Sequence, residues 1–238
     1  KAEKIILVGT SALREAKNKA QFKKLVGEKT GLKLEVVSGK REAELAFQGA
    51  RADFKKRKKK FTLLDIGGGS TEVISGTKDK MVNLKSLNIG SLRLTEKFLK
   101  NEKDGFSELL EFVNKKFGEL KKGFEVKNSV LIGSGGTITT LGALSLNLEK
   151  YNKNKVQGLV LTKGKVDSLL QTLKNMSLSQ RKKFLKIDPD RADIILAGTV
   201  ILKQFLEIFG FDKILISDKS LRWGVLEQIK AKMLNKKT

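Results

Sequence analysis

The sequence predicts an α/β fold that carries a phosphate-binding site. In residues 1–50, apolar runs and amphipathic stretches alternate in the order strand–helix–strand–helix, an order that favours parallel strands joined by right-handed crossovers. Two later apolar runs, Leu63–Ile66 and Val130–Ile132, each end in a turn rich in glycine. Successive backbone N–H groups in such turns form a concavity that accepts phosphate oxygens. We therefore expect a sheet with an anion site at one edge.

The first part of the chain is predicted to hold two strands, each followed by helices. Lys4–Gly9 is an apolar run typical of a strand buried on both faces, and Leu32–Val37 alternates as a second strand does. Helices are expected from Thr10 onward, over residues 20–29 and over residues 41–50. Glu42 lies in the first turn of the last helix, where the helix dipole favours any carboxylate, so a capping role is one interpretation of it.

Residues 55–60 form a block of positive charge, Lys-Lys-Arg-Lys-Lys-Lys. Most such runs are solvated loops. We place the domain boundary here, with residues 1–58 in the first unit and residues 59–238 in the second. A hinge is expected near residues 55–61.

The first glycine-rich turn is predicted to bind phosphate together with a divalent cation. It comprises Gly67, Gly68, Gly69 and Ser70, with Asp65 at the end of the strand before it and Glu72 in the strand after it. Glycines let the backbone approach a ligand closely, and Mg²⁺ favours carboxylate and phosphate oxygens. The alternative is an ordinary glycine hairpin with two solvated acids.

A second glycine-rich turn makes the phosphate hypothesis stronger. Its residues are Gly133, Ser134, Gly135, Gly136 and Thr137. A helix is predicted to follow over residues 138–148, and the N–H groups at a helix N-terminus attract anions.

The remaining elements complete the second unit. Residues 80–88 are expected to be the third strand of a meander, and residues 92–99 a helix with Arg93 and Glu96 three positions apart. Arg93 is a candidate phosphate ligand, although a local ion pair explains this spacing equally well. Later helices are predicted over residues 166–175, 179–184, 193–208 and 221–233, and a last strand over residues 213–216.

Composition excludes several classes of site. The chain has 238 residues with no histidine and no cysteine, so catalytic triads and zinc sites built on these residues are impossible. No apolar run approaches the length of a membrane span, and the cytoplasm is the expected location. A net charge of +23 favours polyanionic partners, although a lysine-rich surface alone also explains it.

Taken together, the motifs resemble the Ppx/GppA phosphatase family of exopolyphosphatases and guanosine pentaphosphate phosphohydrolases. The matching segments are Asp65–Glu72, Asn88–Glu96, Gly133–Thr137, Thr10–Ala16, Ser38–Gly39 with Glu42–Ala43, and Arg191–Asp193 before Ala197–Gly198. They run in the family's order along nearly the whole chain.

The resemblance implies a two-lobe, actin-like (ribonuclease H-like) ATPase fold. Members of the family begin with a further strand–turn–strand unit that this sequence does not show, so the first lobe is expected to be incomplete at its N-terminus. The resemblance also implies that Glu42 is the general base, and Mg²⁺ or Mn²⁺ is expected at Asp65 and Glu72. Arg14 is placed at a strand-to-helix corner from which its side chain could reach a phosphate, although an ordinary surface arginine of a helix is the alternative. Gln157 stands where the family commonly has histidine.

The expected reaction is hydrolysis of terminal phosphoanhydride bonds of inorganic polyphosphate, which the positive charge favours over guanosine pentaphosphate. Three alternatives stay open: a guanosine pentaphosphate phosphohydrolase, an actin-like kinase or ATPase, and a basic fragment that binds polyanions without cleaving them. Nucleic acid is a weak candidate partner because its usual binding motifs are missing. No membrane partner is expected, and a homodimer is one assembly to test.

Overall fold

The computed structural model describes residues 2, 4–54, 60–77, 80–100 and 105–234. The strands are β1 (Leu7–Gly9), β2 (Leu34–Val36), β3 (Lys60–Ile66), β4 (Thr71–Gly76), β5 (Met81–Leu87), β6 (Ser129–Ser134), β7 (Val160–Thr162) and β8 (Lys213–Ile216). The helices are α1 (Ser11–Glu15), α2 (Lys19–Thr30), α3 (Gly39–Phe54), α4 (Ser91–Phe98), α5 (Phe106–Lys121), α6 (Gly136–Ser145), α7 (Lys153–Val156), α8 (Lys163–Lys174), α9 (Leu178–Phe184), α10 (Ile195–Phe209) and α11 (Leu221–Leu234). A short 3₁₀ turn covers Pro189–Arg191.

A six-stranded sheet in the order β5-β4-β3-β6-β8-β7 forms the centre of the molecule. The predicted meander is present, because β3, β4 and β5 pair antiparallel in sequence order. Strand β6 instead lies parallel to β3, with Asp65 opposite Ser134. Parallel neighbours end at the same edge of a sheet, so the turns after β3 and β6 leave the sheet side by side. This arrangement brings the two glycine-rich loops together.

The first part of the chain forms a separate two-stranded parallel sheet, in which β1 pairs with β2. Strand β1 is shorter than the predicted Lys4–Gly9 run, and Ile5 and Ile6 are exposed rather than buried on both faces. The reason is that β1 has only one strand beside it among the described residues. A strand buried on both faces needs neighbours that cover it.

Two apolar clusters cover the two faces of the six-stranded sheet. The larger one joins the sheet to helices such as α5, α6, α8 and α10, with Phe117 and Phe205 at its centre. The smaller one packs α3 against the opposite face, where Phe47 stacks on Phe61 with ring centroids 5.1 Å apart. Helix α3 thus carries its N-terminal turn, with Glu42, to the edge of the sheet where the glycine-rich loops lie.

Close helix packing fixes the position of α3. A Cβ atom at Gly224 of α11 would lie 1.9 Å from the carbonyl oxygen of Leu45, and one at Gly49 of α3 would lie 2.3 Å from that of Ser220. Only glycine allows the two backbones to approach this closely.

The division into units at residues 58 and 59 stays a prediction. Residues 55–59, which include most of the charge block and of the expected hinge, lie outside the described residues. None of the helices in the described ranges combines the length and the apolar character needed to cross a membrane.

Candidate active site

The first glycine-rich loop is a hairpin in which the Gly67 N–H donates to the Ser70 carbonyl at 2.9 Å, and the carbonyl groups of its three glycines point toward helix α4. The Gly67 carbonyl accepts a hydrogen bond from the Ser91 N–H at 2.9 Å, and the Gly68 carbonyl accepts one from the Arg93 N–H at 3.0 Å. The Gly69 carbonyl accepts a bond from Arg93 Nε at 2.7 Å. In a trans peptide the C=O and the following N–H point in opposite directions. The N–H groups that follow these three carbonyls, those of Gly68, Gly69 and Ser70, therefore point away from α4.

These N–H groups are available to a ligand. Within the described part of the chain, the N–H groups of Gly68, Gly69 and Ser70 donate no hydrogen bond. Three adjacent free donors on one side of a loop form the kind of concavity that binds phosphate oxygens.

The second glycine-rich loop joins β6 to helix α6 and has a different construction. Gly135 has φ of +96°, a left-handed conformation that favours glycine, and helix α6 begins at the next residue. The first intrahelical bond here is donated by Thr139 to Gly135, which leaves the N–H groups of the first turn free for an anion. The side chain of Thr137 is buried against Gly198, so this residue offers its backbone rather than its hydroxyl.

Two buried carboxylates lie between the loops. Asp65 and Glu72 are directly opposite each other in the β3–β4 register. Burial raises the pKa of Asp65 to about 6, an effect that the nearby Ser134 hydroxyl reduces and the charge of Glu42 increases. Burial raises the pKa of Glu72 to about 8, with further increases from Asp65 and Glu42. Burial therefore disfavours the charged form of both groups, although the Ser86 hydroxyl donates to Glu72 Oε1 at 2.7 Å and partly stabilises its charge.

The surroundings of this pair suit a divalent cation. Asp65 and Glu72 make no ion pair with the lysines and arginines of the described ranges. The Ser134 hydroxyl is also buried and makes no hydrogen bond of good geometry with described residues, although it lies beside Asp65. No group of three or more acidic residues in those ranges is placed to hold a metal by itself. Two carboxylates completed by phosphate or water oxygens fit Mg²⁺ or Mn²⁺.

Glu42 lies at the N-terminus of α3 and faces the same space. Arg14 Nη1 contacts Glu42 Oε2 at 3.0 Å and also donates to the Val37 carbonyl at 2.9 Å. The Arg14 guanidinium is thus directed to the carboxylate of Glu42, and its predicted phosphate contact stays a prediction. Glu44 has a different neighbour, Arg41, at 3.2 Å.

Arg93 is also bound to protein groups. Besides the Gly69 carbonyl, its guanidinium contacts both carboxylate oxygens of Glu15, at 2.7 and 2.6 Å. The local ion pair with Glu96 that the spacing allowed is not formed. The role of Arg93 as a direct phosphate ligand stays a prediction.

Arg191 is a candidate that the motif analysis did not single out as a site residue. Its guanidinium lies directly over the second loop, since a Cβ atom built on Gly136 would be 2.1 Å from Arg191 Nη1. Asp188 holds it in place through an ion pair of 2.5 Å. Arg191 is distant in sequence from both loops, so neither periodicity nor spacing predicts that it belongs to the site. Only its place in the Arg-Ala-Asp segment could have indicated this role.

A cavity of about 250 Å³, the central cavity, brings part of this set together. The other predicted site residues, namely Arg14, Gly69, Ser70, Arg93, Gly133, Ser134 and Thr137, are not part of its lining. Its lining consists of Thr10, Glu42, Asp65, Ile66, Gly67, Gly68, Glu72, Ser91, Gly135, Gly136, Arg191, Ile194, Ser220 and Leu221. The cavity therefore has backbone donors from both loops, three carboxylates and one arginine. Such a set can bind phosphate, hold a cation and accept a proton.

Gln157 has a local structural role beside this site. Its Oε1 accepts a hydrogen bond from the Asp218 N–H at 2.8 Å, and it thereby holds the turn after β8. Next to that turn, the Asp218 carboxylate accepts a hydrogen bond from the hydroxyl of Tyr151.

Two known proteins have sequences similar to this chain. A bifunctional 3-dehydroquinate synthase/phosphatase of Fusobacterium nucleatum is 37% identical, and the match covers 96% of this chain and 35% of that protein. Exopolyphosphatase 2 of Mycobacterium tuberculosis is 28% identical, over 94% of this chain and 74% of that protein. The chain thus spans about a third of the first relative and about three quarters of the second.

A crystal structure of the Aquifex aeolicus member of the Ppx/GppA protein family superposes with a TM-score of 0.84 at 35% identity, over 97% of this chain and 75% of that one. This agreement confirms the predicted α/β, actin-like fold class. The model of the Ppx/GppA phosphatase family matches residues 1–233. The chain therefore belongs to the Ppx/GppA phosphatase family.

Proposed function

We propose that this protein hydrolyses the terminal phosphoanhydride bond of inorganic polyphosphate and releases phosphate, with Mg²⁺ or Mn²⁺ as cofactor. The observation that carries the proposal is the central cavity, in which a buried carboxylate pair and Glu42 face free backbone donors from two glycine-rich loops. Phosphoryl transfer depends mainly on positioning and on neutralisation of charge. These residues supply both requirements.

The two loops would bind the terminal phosphates. The N–H groups of Gly68, Gly69 and Ser70 would contact one set of oxygens, and the start of α6 another. Arg191, fixed over Gly136, would neutralise charge on the chain. Fixed donors of this kind act strongly where water is excluded.

Glu42 would serve as the general base. A water between Glu42 and the terminal phosphorus attacks that phosphorus, its proton passes to Glu42, and the bond from phosphorus to the bridging oxygen breaks. The shortened polyphosphate leaves with the bridging oxygen. The contact with Arg14 holds the carboxylate in one orientation, which supports this role.

A divalent cation held by Asp65 and Glu72 would neutralise negative charge that develops on the phosphate oxygens. Burial raises the pKa of both groups, and neither makes an ion pair with a lysine or arginine of the described ranges, which supports a cation at this place. A candidate base and a carboxylate pair that could hold a cation line the same small cavity, which favours hydrolysis over binding alone.

Polyphosphate is the preferred substrate because the net charge of +23 attracts long polyanions. Guanosine pentaphosphate is the second candidate, and one observation favours it. A side pocket of about 250 Å³ shares Gly135, Gly136 and Arg191 with the central cavity and is also lined by Tyr151. This residue, the only tyrosine in the sequence, is 42% exposed, and its ring could stack on a base.

The test compares phosphate release by wild type, Glu42→Gln and Glu44→Gln from long-chain polyphosphate, guanosine pentaphosphate and ATP, each with Mg²⁺. Loss of a general base should lower kcat by about 10²–10⁴-fold in Glu42→Gln. Glu44→Gln removes the same charge two residues away and should retain most of the activity. Equal activity of the two variants would remove Glu42 from the mechanism. If phosphate is released from guanosine pentaphosphate and not from polyphosphate, guanosine pentaphosphate is the substrate.

A further inference from the structure

Arg93 connects two parts of the chain that are distant in sequence. Its Nε donates to the Gly69 carbonyl at 2.7 Å, and its Nη2 contacts Glu15 Oε1 and Oε2 at 2.7 and 2.6 Å. Glu15 ends helix α1, which follows strand β1 of the small sheet, whereas Arg93 lies in α4, which follows strand β5 of the large sheet. One guanidinium therefore joins the first part of the chain to the phosphate-binding loop.

We propose that Glu15 is a positioning residue for this loop and that it acts through Arg93. The inference rests on the proposed function, because the loop it positions is the one that would bind phosphate. Glu15 fixes the guanidinium, the guanidinium fixes the Gly69 carbonyl, and the carbonyl sets the plane of the peptide between Gly69 and Ser70. Because that peptide is planar and trans, the Ser70 N–H then points to the opposite side, where a phosphate would bind.

Several contacts keep Glu15 itself in place. The Ser11 hydroxyl donates to Glu15 Oε1 at 3.2 Å. The hydrogen bonds from Arg93 keep the pKa of Glu15 below its usual range, so the group stays a carboxylate at neutral pH. Ser11 also lies against the loop, since a Cβ atom at Gly69 would be 2.6 Å from Ser11 Oγ. Helix α1 and the loop are therefore in direct contact at this point.

The ion pair is too exposed to act mainly on stability. The side chains of Arg93 and Glu15 are 34% and 42% exposed, and pairs of this kind contribute little to folding. Their geometry matters instead, because a small rotation of a donor peptide weakens its contact with a bound anion. The inference thus predicts an effect on phosphate binding and turnover without a matching effect on unfolding.

The chain offers a control with the same change in charge. Glu96 lines the same outer cavity, of about 420 Å³, as Glu15, Arg93 and the first loop. Unlike Glu15, Glu96 makes no hydrogen bond or ion pair with the residues that the structure describes. Glu96→Gln therefore removes a negative charge near the site without releasing Arg93.

The experiment measures binding of inorganic tripolyphosphate with Mg²⁺ by calorimetry, and phosphate release, for Glu15→Gln, Glu96→Gln, Arg93→Gln and the double variant Glu15→Gln/Arg93→Gln. Relative to Glu96→Gln, we expect Glu15→Gln to bind tripolyphosphate about tenfold more weakly, as for the loss of one charge-assisted hydrogen bond. The urea midpoints of Glu15→Gln and Glu96→Gln should coincide. In the Arg93→Gln background, Glu15→Gln should have no further effect.

Equal binding by Glu15→Gln and Glu96→Gln would overturn the inference, as would additive effects of Glu15→Gln and Arg93→Gln. Wild type that binds tripolyphosphate but releases no phosphate would contradict the proposed hydrolysis only, because the comparison of binding would still test Glu15. Wild type that binds no tripolyphosphate would overturn both.

Discussion

The two glycine-rich loops have similar sequences but are held in place in different ways. The first is a hairpin between antiparallel strands, and its orientation depends on contacts with α4, chiefly the Ser91 N–H and the Arg93 side chain. The second leads from a parallel strand into a helix. Its donors are oriented by the helix itself, and the left-handed Gly135 makes the turn.

This difference indicates which parts of the molecule each loop depends on. A helix N-terminus presents free N–H groups through its own geometry, so the second loop should be sensitive only to changes in its own backbone. The first loop needs partners that are distant in sequence, and it should be sensitive to changes outside itself. Substitutions within and outside each loop separate these two cases.

The largest effect is expected from Gly135→Ala in the second loop. A Cβ atom there would lie 2.4 Å from the Ile66 carbonyl oxygen and 2.8 Å from Asp65 Oδ1, in addition to the strain of φ at +96°. We expect kcat/KM for polyphosphate to fall by at least about 10²-fold, as when an oriented donor is lost.

Gly31→Ala is the control for backbone strain alone. Gly31 has φ of +68° but no atom within 4 Å of the added Cβ, and it lies at the end of α2. It should lower the free energy of unfolding by on the order of 1 kcal/mol and leave kcat/KM close to that of wild type. Equal loss of activity in both variants would show that strain, rather than the position of the second loop, explains the first result.

A smaller loss is expected from Gly90→Ala, which changes the first loop from outside. A Cβ atom at Gly90 would lie 2.3 Å from the Gly68 carbonyl oxygen and 2.5 Å from the carbonyl carbon of Gly69. The hairpin must move away from α4, and we expect kcat/KM to fall about tenfold. Phosphate release measured at several polyphosphate concentrations checks this.

The control for Gly90→Ala is Gly118→Ala within α5, where the added Cβ has no neighbour within 4 Å. That change should raise the free energy of unfolding by roughly 0.5–1 kcal/mol through helix propensity. Full activity of Gly90→Ala would contradict the dependence of the first loop on α4.

A prediction about stability rather than activity concerns its dependence on pH in the absence of metal. Asp65 and Glu72 have folded-state pKa values of about 6 and about 8, above the usual values of 3.8 and 4.5. The folded state therefore binds more protons than the unfolded state between about pH 4 and pH 8, and stability falls as pH rises through this window. Between pH 5 and pH 8 we expect a loss on the order of 5 kcal/mol, measured by urea unfolding.

Asp65→Asn should flatten this dependence, because it removes one of the two groups whose protonation is linked to folding. Addition of Mg²⁺ should reduce the loss in wild type by binding the ionised pair. If stability instead rises with pH over the same window without metal, Asp65 and Glu72 are not buried carboxylates that lack a positive partner.

Local patterns in the sequence predicted much of this architecture. The meander β3–β5 follows from apolar runs around the Gly67–Ser70 turn, and the buried helix α10 follows from its apolar composition. The strand expected at Lys4–Gly9 was too long, because burial of Ile5 and Ile6 depends on neighbouring strands that no local pattern encodes.

The pairing of charged side chains could not be predicted in the same way. Two ion pairs, Arg14–Glu42 and Arg93–Glu15, join residues that are distant in sequence. The chain has 49 lysines and arginines. Many partners were available to each acid, and only the folded backbone selects one. Arg191 over Gly136 depends likewise on how the 3₁₀ turn packs against α6.

The most direct test of the two-loop site is a ¹H–¹⁵N NMR titration of the Glu42→Gln variant, which should prevent turnover, with tripolyphosphate and Mg²⁺. If both loops bind one ligand, the amide resonances of Gly68, Gly69 and Ser70 should shift together with those of Gly136 and Thr137, with a single midpoint. Shifts confined to one loop, or shifts spread over surface lysines with both loops unchanged, would contradict a phosphate site built from the two loops.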